Sequence, residues 1–73
     1  MNFSEALERM KDGRSVTRKG WNAPNQWVKF SPGMRGGGIE LESFFYLFNA
    51  QGKRVVWIPS TADLLAEDWD LTL

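Results

Sequence analysis

Between Asn2 and Gly13 the apolar residues Phe3, Ala6, Leu7 and Met10 recur at i, i+3, i+4 and i+7, the spacing of one helical face. That stretch predicts an amphipathic helix. Asn2 with Glu5 three residues later has the form of a capping box, and Gly13 supplies the left-handed position that ends the helix. The period then shortens to two. RSVTR, residues 14 to 18, reads as a short strand and KGWNAPN as a loop, because Gly20, Asn22, Pro24 and Asn25 are turn formers clustered within six residues. QWVKF is a second strand, with Trp27 and Lys29 on one face and Val28 and Phe30 across the pleat from them.

SPGMRGGG packs four of the seven glycines into six residues, a run that is either flexible or tightly shaped. ESFFYLFN is the clearest strand, and NAQG closes a hairpin into KRVVWI. Phe44, Tyr46 and Phe48 fall on one face of it, Phe45 and Leu47 on the other. Both faces are apolar, and one helix covers only one. The second face is exposed, covered by the carboxy-terminal segment, or buried against another copy of the chain; the expectation is another copy, in a closed dimer or dimer of dimers. After Pro59, STADLLAEDW starts from a capping hydroxyl, Ser60 or Thr61, and runs for about two turns. DWDLTL is an extended tail. The fold class is α+β: an N-terminal helix packed on a small antiparallel sheet of four or five strands, with a short C-terminal helix, as a homo-oligomer. Residues 1–73 form a single domain, with no internal repeat and no linker.

Composition narrows the chemistry. With no cysteine and no histidine, disulfide frameworks, thiol nucleophiles, imidazole bases and the usual zinc ligand sets are excluded. Self-association is the stabilising device left to a domain this small. No run approaches the ~20 apolar residues of a membrane span, and no basic region followed by an apolar core opens the chain, so a soluble cytoplasmic protein is expected. Nine basic and nine acidic residues cancel, which removes the footprint of a general DNA or RNA binder. Yet residues 1 to 38 carry seven basic against three acidic, a balance of plus four, and residues 39 to 73 carry two against six, a balance of minus four. Either the halves attract each other within or between chains, or the first half holds a localised anion site.

The acidic residues Asp63, Glu67, Asp68 and Asp70 could be read as a metal or general-acid cluster, but acids near a helix start are stabilising without any function. Asp63 is the exception: three residues after Ser60, it closes the cap or offers its carboxylate to a ligand's ribose or base edge. The glycine run, with Arg35 inside it, could cradle phosphates through backbone N–H groups; it lacks the strand-to-helix context of known phosphate loops, and an ordinary loop is the plainer account. Trp21 is either a cap over the core edge or a stacking surface, and Asn22 either a turn former or a polar reader. Nucleotides need an aromatic plane, cations with free N–H groups, and amide or carboxylate partners. The two loops and the Ser60 to Asp63 turn offer all three. The residues thus support a small oligomeric binding module over an enzyme.

The opening MNFSEALERMKDGRSVTRKGWN and the ending VVWIPSTADLLAEDWDL resemble the small phage proteins that counter the Thoeris defence, specifically the second of the named Thoeris anti-defence families. The F-x-E-A-L helix, the R-x-G-W-N loop and the W-x-P-S-x-x-D-L-L-A-E-D-W segment occur in the family's order and spacing. Residues 23 to 52 are less family-like and sit where members vary in length. The resemblance implies a sponge, a homo-oligomer and usually a tetramer. It would bind the cyclic ADP-ribose-type signal of the defence system's TIR enzyme without cleaving it, in the cytoplasm of the infected bacterial host. Some members also bind cyclic dinucleotides at separate sites and so blunt the CBASS systems that use them.

Carried over by position, Trp21 and Asn22 would be the base-stacking platform and a polar reader, and Arg18 a phosphate cation. Trp57, Pro59, Ser60 and Asp63 match the ending motif, with Ser60 and Asp63 as partners for ribose or base and Leu64 as apolar wall. Trp69, Leu7 and Phe3 match as core. Gly33, Met34, Arg35, Gly36 and Gly37 are assigned to a cyclic-dinucleotide site without a family motif behind them. Neither a cofactor nor a metal is expected. Partners are then the cyclic nucleotide signals and further copies of the chain.

Overall fold

A computed structural model describes residues 1–21 and 25–72. Helix α1 spans Phe3–Lys11 and begins and ends as its sequence requires. Asn2 accepts the Glu5 backbone N–H at 2.9 Å while the Glu5 carboxylate accepts the Asn2 N–H at 3.2 Å, closing the box. At the other end Gly13, at φ +90°, donates to the Met10 carbonyl and Arg14 donates to that of Arg9, the double bond of a Schellman turn.

The strands are β1 (Val16–Arg18), β2 (Trp27–Ser31), β3 (Met34–Gly36), β4 (Ile39–Leu41), β5 (Phe44–Phe48), β6 (Arg54–Val56) and β7 (Trp69–Leu71), with helix α2 (Thr61–Leu65) before the last. Five of them form one sheet in the order β6-β5-β2-β1-β7, every pair antiparallel. The tail read as merely extended is a strand: β7 pairs with β1 along its whole length, Val16 opposite Leu71 and Arg18 opposite Trp69. That pairing brings the two ends of the sequence side by side.

The β2–β5 register sets Val28 opposite Leu47 and Phe30 opposite Phe45, and Trp27 opposite Phe48 and Lys29 opposite Tyr46. Side chains alternate across the pleat, so the first set and the second lie on opposite faces. The first face holds the core, where Ala6, Met10, Val16, Val28 and Trp69 are buried and Phe3, Leu7, Trp21, Phe30, Phe45, Leu47 and Trp57 pack round them. Helix α1 lies against β7, β1 and β2 on this side. On the second face Trp27 stacks on Phe48 at 4.8 Å and meets Tyr46 edge-on at 6.2 Å, while Phe44 and Val56 stand exposed. Because the carboxy-terminal segment joins the sheet as an edge strand, it does not cover this face.

The glycine run is tightly shaped. β3 and β4 pair as a separate hairpin, Gly36 opposite Ile39, and Gly37 and Gly38 both take the positive φ that a two-residue hairpin turn demands. The hairpin strands pack on each other and on no other described element. Helix α2 is shorter than the two turns expected from its sequence. The chain leaves it at Ala66, in extended backbone, because Asp68 and Trp69 are drawn to β1.

Candidate functional site

Three chain segments meet at the end of β1. Arg18 is the last residue of that strand, and Trp21 follows in a turn closed by a 3.3 Å bond from the Trp21 N–H to the Arg18 carbonyl. Opposite them stands α2. Its cap is a reciprocal pair in which the Ser60 hydroxyl accepts the Asp63 N–H at 3.1 Å and Asp63 Oδ2 accepts the Ser60 N–H at 3.0 Å. The same Asp63 carboxylate presents Oδ1 to Arg18 Nη1 at 2.9 Å and to the Trp21 indole N–H at 3.2 Å. Trp69 holds the helix from below, its indole N–H donating to the Asp63 carbonyl at 2.9 Å.

One buried carboxylate therefore gathers a cation, an aromatic ring and a helix cap. Burial pushes the Asp63 carboxyl up, but the Ser60 N–H, Arg18 and Trp21 outweigh it and hold the group below the usual aspartate range. Asp63 is charged at neutral pH and accepts hydrogen bonds from Arg18, Trp21 and the Ser60 backbone. It closes the cap, and the groups its carboxylate meets are Arg18 and Trp21 of the same chain. The Ser60 hydroxyl oxygen is the acceptor in the cap, and the Ser60 side chain also helps to hold the Asp63 carboxyl down.

Arg18 is bracketed by two acids. Its Nε donates to Asp68 Oδ1 at 2.8 Å and its Nη1 to Asp63, and both carboxylates raise its pKa further, Asp68 most. Among the described residues Nη2 has no hydrogen-bond acceptor. The plus-four half and the minus-four half do attract each other within one chain, at Arg18 with Asp63 and Asp68 and at Arg35 with Glu40.

Trp21 caps the edge of the core. It packs on the core cluster, with Trp69 at 5.4 Å and Trp57 at 6.4 Å, both near-perpendicular, and it stays partly exposed. Trp57 joins the same aromatic group, 6.0 Å from both Trp69 and Phe45. Pro59 is partly buried just ahead of the cap, while Leu64 and Leu65 stand exposed on α2, and Ile58 is exposed as well. Asn22 lies outside the described residues. Of the residues singled out from the sequence, Arg18, Trp21, Trp57, Ser60 and Asp63 come together.

The Gly33 to Gly37 stretch does not join them. Gly33, Met34 and Arg35 line a separate groove of about 360 Å³ with Pro32, Leu41, Glu42 and Ser43, in which Arg35 pairs with Glu40 at 3.1 Å, whereas Gly36 and Gly37, at the hairpin turn, do not line it. That groove carries one cation, already paired and exposed, and two carboxylates. Among the described residues no group of histidine, cysteine and acidic side chains is arranged to hold a metal ion. No helix of the described chain is long and apolar enough to cross a membrane.

Sequence reasoning passed over Asp68, which it grouped with the solvated acids. The charge asymmetry hinted at ion pairs between the halves but did not single out Asp68, since only Arg18 and Arg35 of the seven basic residues in the first half form salt bridges among the described residues.

Two comparisons bear on this arrangement. A family model described as a Thoeris anti-defense 2-like domain matches residues 1–72, the middle of the chain included. A relative from Bacillus phage SP01 that carries the name Thoeris anti-defense 2 is 36% identical over 83 aligned positions, which cover 97% of this chain and 93% of the relative. The segments that build the Arg18, Trp21 and Asp63 cluster fall within both matches, and the chain belongs to the Thoeris anti-defense 2-like family.

Proposed function

We propose that this protein is a phage anti-defence sponge. It binds the cyclic ADP-ribose-type signal of Thoeris TIR enzymes, glycocyclic ADP-ribose, and withholds it from the downstream effector without chemical change. The observation that carries the reading is the cluster itself, in which a cation, an indole and a capped helix turn from opposite ends of the chain are organised by Asp63. The ligand's pyrophosphate charge is met by Arg18 Nη2, its base stacks on Trp21, and its ribose hydroxyls hydrogen-bond with Ser60. Asp63 and Trp57 hold these groups, Pro59 and Leu64 form apolar wall, and Asn22 is proposed from its motif position as a polar reader.

Catalysis is not part of the proposal. Acid–base work near neutral pH requires a group that titrates there, and the chain has no histidine, while Asp63 and Asp68 are both held below the ordinary carboxylate range.

A domain of this size does not enclose a dinucleotide-sized ligand alone. The second sheet face, with Trp27, Phe44, Tyr46, Phe48 and Val56, supports self-association, and exposed Ile58, Leu64 and Leu65 support a pocket completed by a neighbouring copy. A tetramer acting in the cytoplasm of the infected host, with no nucleic-acid or membrane partner, fits this reading. The 360 Å³ groove beside Arg35 supports a second, weaker site for cyclic dinucleotides, reached only when Arg35 leaves Glu40.

The proposal is tested by mixing stoichiometric protein with glycocyclic ADP-ribose and passing the mixture through a size-cutoff filter. The signal should vanish from the filtrate and return intact after heat denaturation. A filtrate that keeps the signal, or a recovered product of altered mass, would remove the sponge reading.

A further inference from the structure

Asp68 makes three bonds to three consecutive residues of the turn that leads to Trp21. Its Oδ1 accepts Arg18 Nε at 2.8 Å, its carbonyl accepts the Lys19 N–H at 3.2 Å, and its Oδ2 accepts the Gly20 N–H at 2.7 Å. Arg18 is the main cause of its lowered pKa, with the Gly20 N–H contributing in the same direction. Both carboxylate oxygens are used, each on a different part of the turn.

Gly20 fits this contact and no other demand. It is not among the glycines in the left-handed region, so its backbone angles alone would admit another residue. A Cβ there would lie 2.7 Å from Asp68 Oδ2 and 3.4 Å from Arg18 Nη2. The glycine of R-x-G-W-N is therefore a space kept for the Asp68 carboxylate.

We infer that Asp68 is a positioning residue for the ligand site, holding the 18–21 turn so that Arg18 Nη2 and the Trp21 ring are set before a ligand arrives. This rests on the sponge reading for its ligand, though the turn itself is observable without one. Asp63 fixes the far ends of the two side chains, the Arg18 guanidinium tip and the Trp21 indole nitrogen. Asp68 fixes their near ends, through the Arg18 Nε and the backbone between them. A carboxylate is needed because it alone offers two acceptors to two donors; an asparagine would turn its amide N–H₂ on one of them.

The test compares the wild-type chain with Asp68→Asn, Asp68→Glu, Gly20→Ala and the Asp68→Asn/Gly20→Ala pair. The probes are nitrogen-15 spectra without ligand and affinity for glycocyclic ADP-ribose. In Asp68→Asn the Gly20 amide and the Trp21 indole resonances should shift while the Trp69 indole stays. Affinity should fall ~10-fold, the order of loss expected when a preorganised contact is loosened. Gly20→Ala should reproduce both effects, and the pair should be no worse than either single change, because both remove one contact. Asp68→Glu, which keeps two acceptors, should restore part of the affinity. Additive losses in the pair, or unmoved Gly20 and Trp21 signals in Asp68→Asn, would overturn the assignment. Absence of signal binding by the wild-type chain would instead overturn the sponge reading, and the resonances would still decide whether Asp68 holds the turn.

Discussion

Replacing Asp63 by asparagine changes almost no volume and removes the centre of the cluster. The amide retains one acceptor oxygen, whereas the carboxylate serves Arg18 and Trp21 with Oδ1 and the Ser60 N–H with Oδ2. Whichever way the amide turns, its N–H₂ faces a donor, and the charge opposite Arg18 is gone. An unmade hydrogen bond to a charged group costs about 1.5–3 kcal/mol, and loss of a cap interaction costs about 1. Breaking a buried ion pair costs about 3–5 kcal/mol. The Asp63 side chain is 11% exposed, which leaves little solvent screening, but Arg18 keeps Asp68 as a second partner. The lower end, about 3 kcal/mol, is therefore expected. For a domain of this length each kcal/mol shifts the midpoint by about 4–8 °C, so Asp63→Asn should melt roughly 12–24 °C below wild type. The assay is thermal unfolding followed by circular dichroism at neutral pH, without ligand and at one protein concentration, because self-association makes midpoints concentration-dependent. A shift below about 4 °C, the effect of less than 1 kcal/mol, would refute the role given to Asp63.

Other expectations follow from the same contacts. Asp63 and Asp68 both have folded pKa values below their unfolded ones, so the stability they confer is present above the ordinary aspartate pKa of ~3.9 and lost as pH falls through the lower folded values. Acid melts of wild type should steepen below about pH 4, and Asp63→Asn should flatten that dependence; a flat wild-type profile would contradict the linkage. Trp21→Phe keeps a ring against Trp57 and Trp69 but loses the indole donor, and should cost about 1 kcal/mol while leaving measurable ligand binding. Trp21→Ala should cost binding and also stability, by less than the about 3–5 kcal/mol of a fully buried aromatic ring because Trp21 is partly exposed, so a melt unchanged by the alanine would deny Trp21 its place on the core. The double change Phe44→Lys with Val56→Lys places charge on the open sheet face, and light scattering should report a smaller assembly; an unchanged mass would move the interface elsewhere. Glu40→Gln frees Arg35 and should tighten any cyclic-dinucleotide binding several-fold, an effect read by titration and refuted by no change.

The helix and the sheet faces were legible because each rests on local periodicity. Phe3, Ala6, Leu7 and Met10 face the core as their spacing requires, and Val28, Phe30, Phe45 and Leu47 share a face because the pleat alternates. The end of α2 and the strand β7 were not legible, because both are decided by long-range partners. Asp68 leaves the helix for Arg18 and Gly20, fifty and forty-eight residues away, and Trp69 pairs across from Arg18. The tryptophan, arginine and cap of the candidate site could be named individually from their motifs. What no local pattern gives is that a single carboxylate joins them, since Asp63 reads equally well as a helix cap until β7 draws the two chain ends together. The glycine run was ambiguous for a simpler reason: Gly37 and Gly38 allow a tight turn as readily as a mobile loop, and only the pairing of Gly36 with Ile39 settles which.

The most direct measurement is calorimetric titration of the purified protein with glycocyclic ADP-ribose, alongside Arg18→Met and Trp21→Phe. Wild type should bind saturably and tightly, the arginine variant should lose binding, the phenylalanine variant should bind more weakly, and the ligand should be recovered unaltered. No binding by the folded wild-type protein, or equal binding by all three, would contradict it.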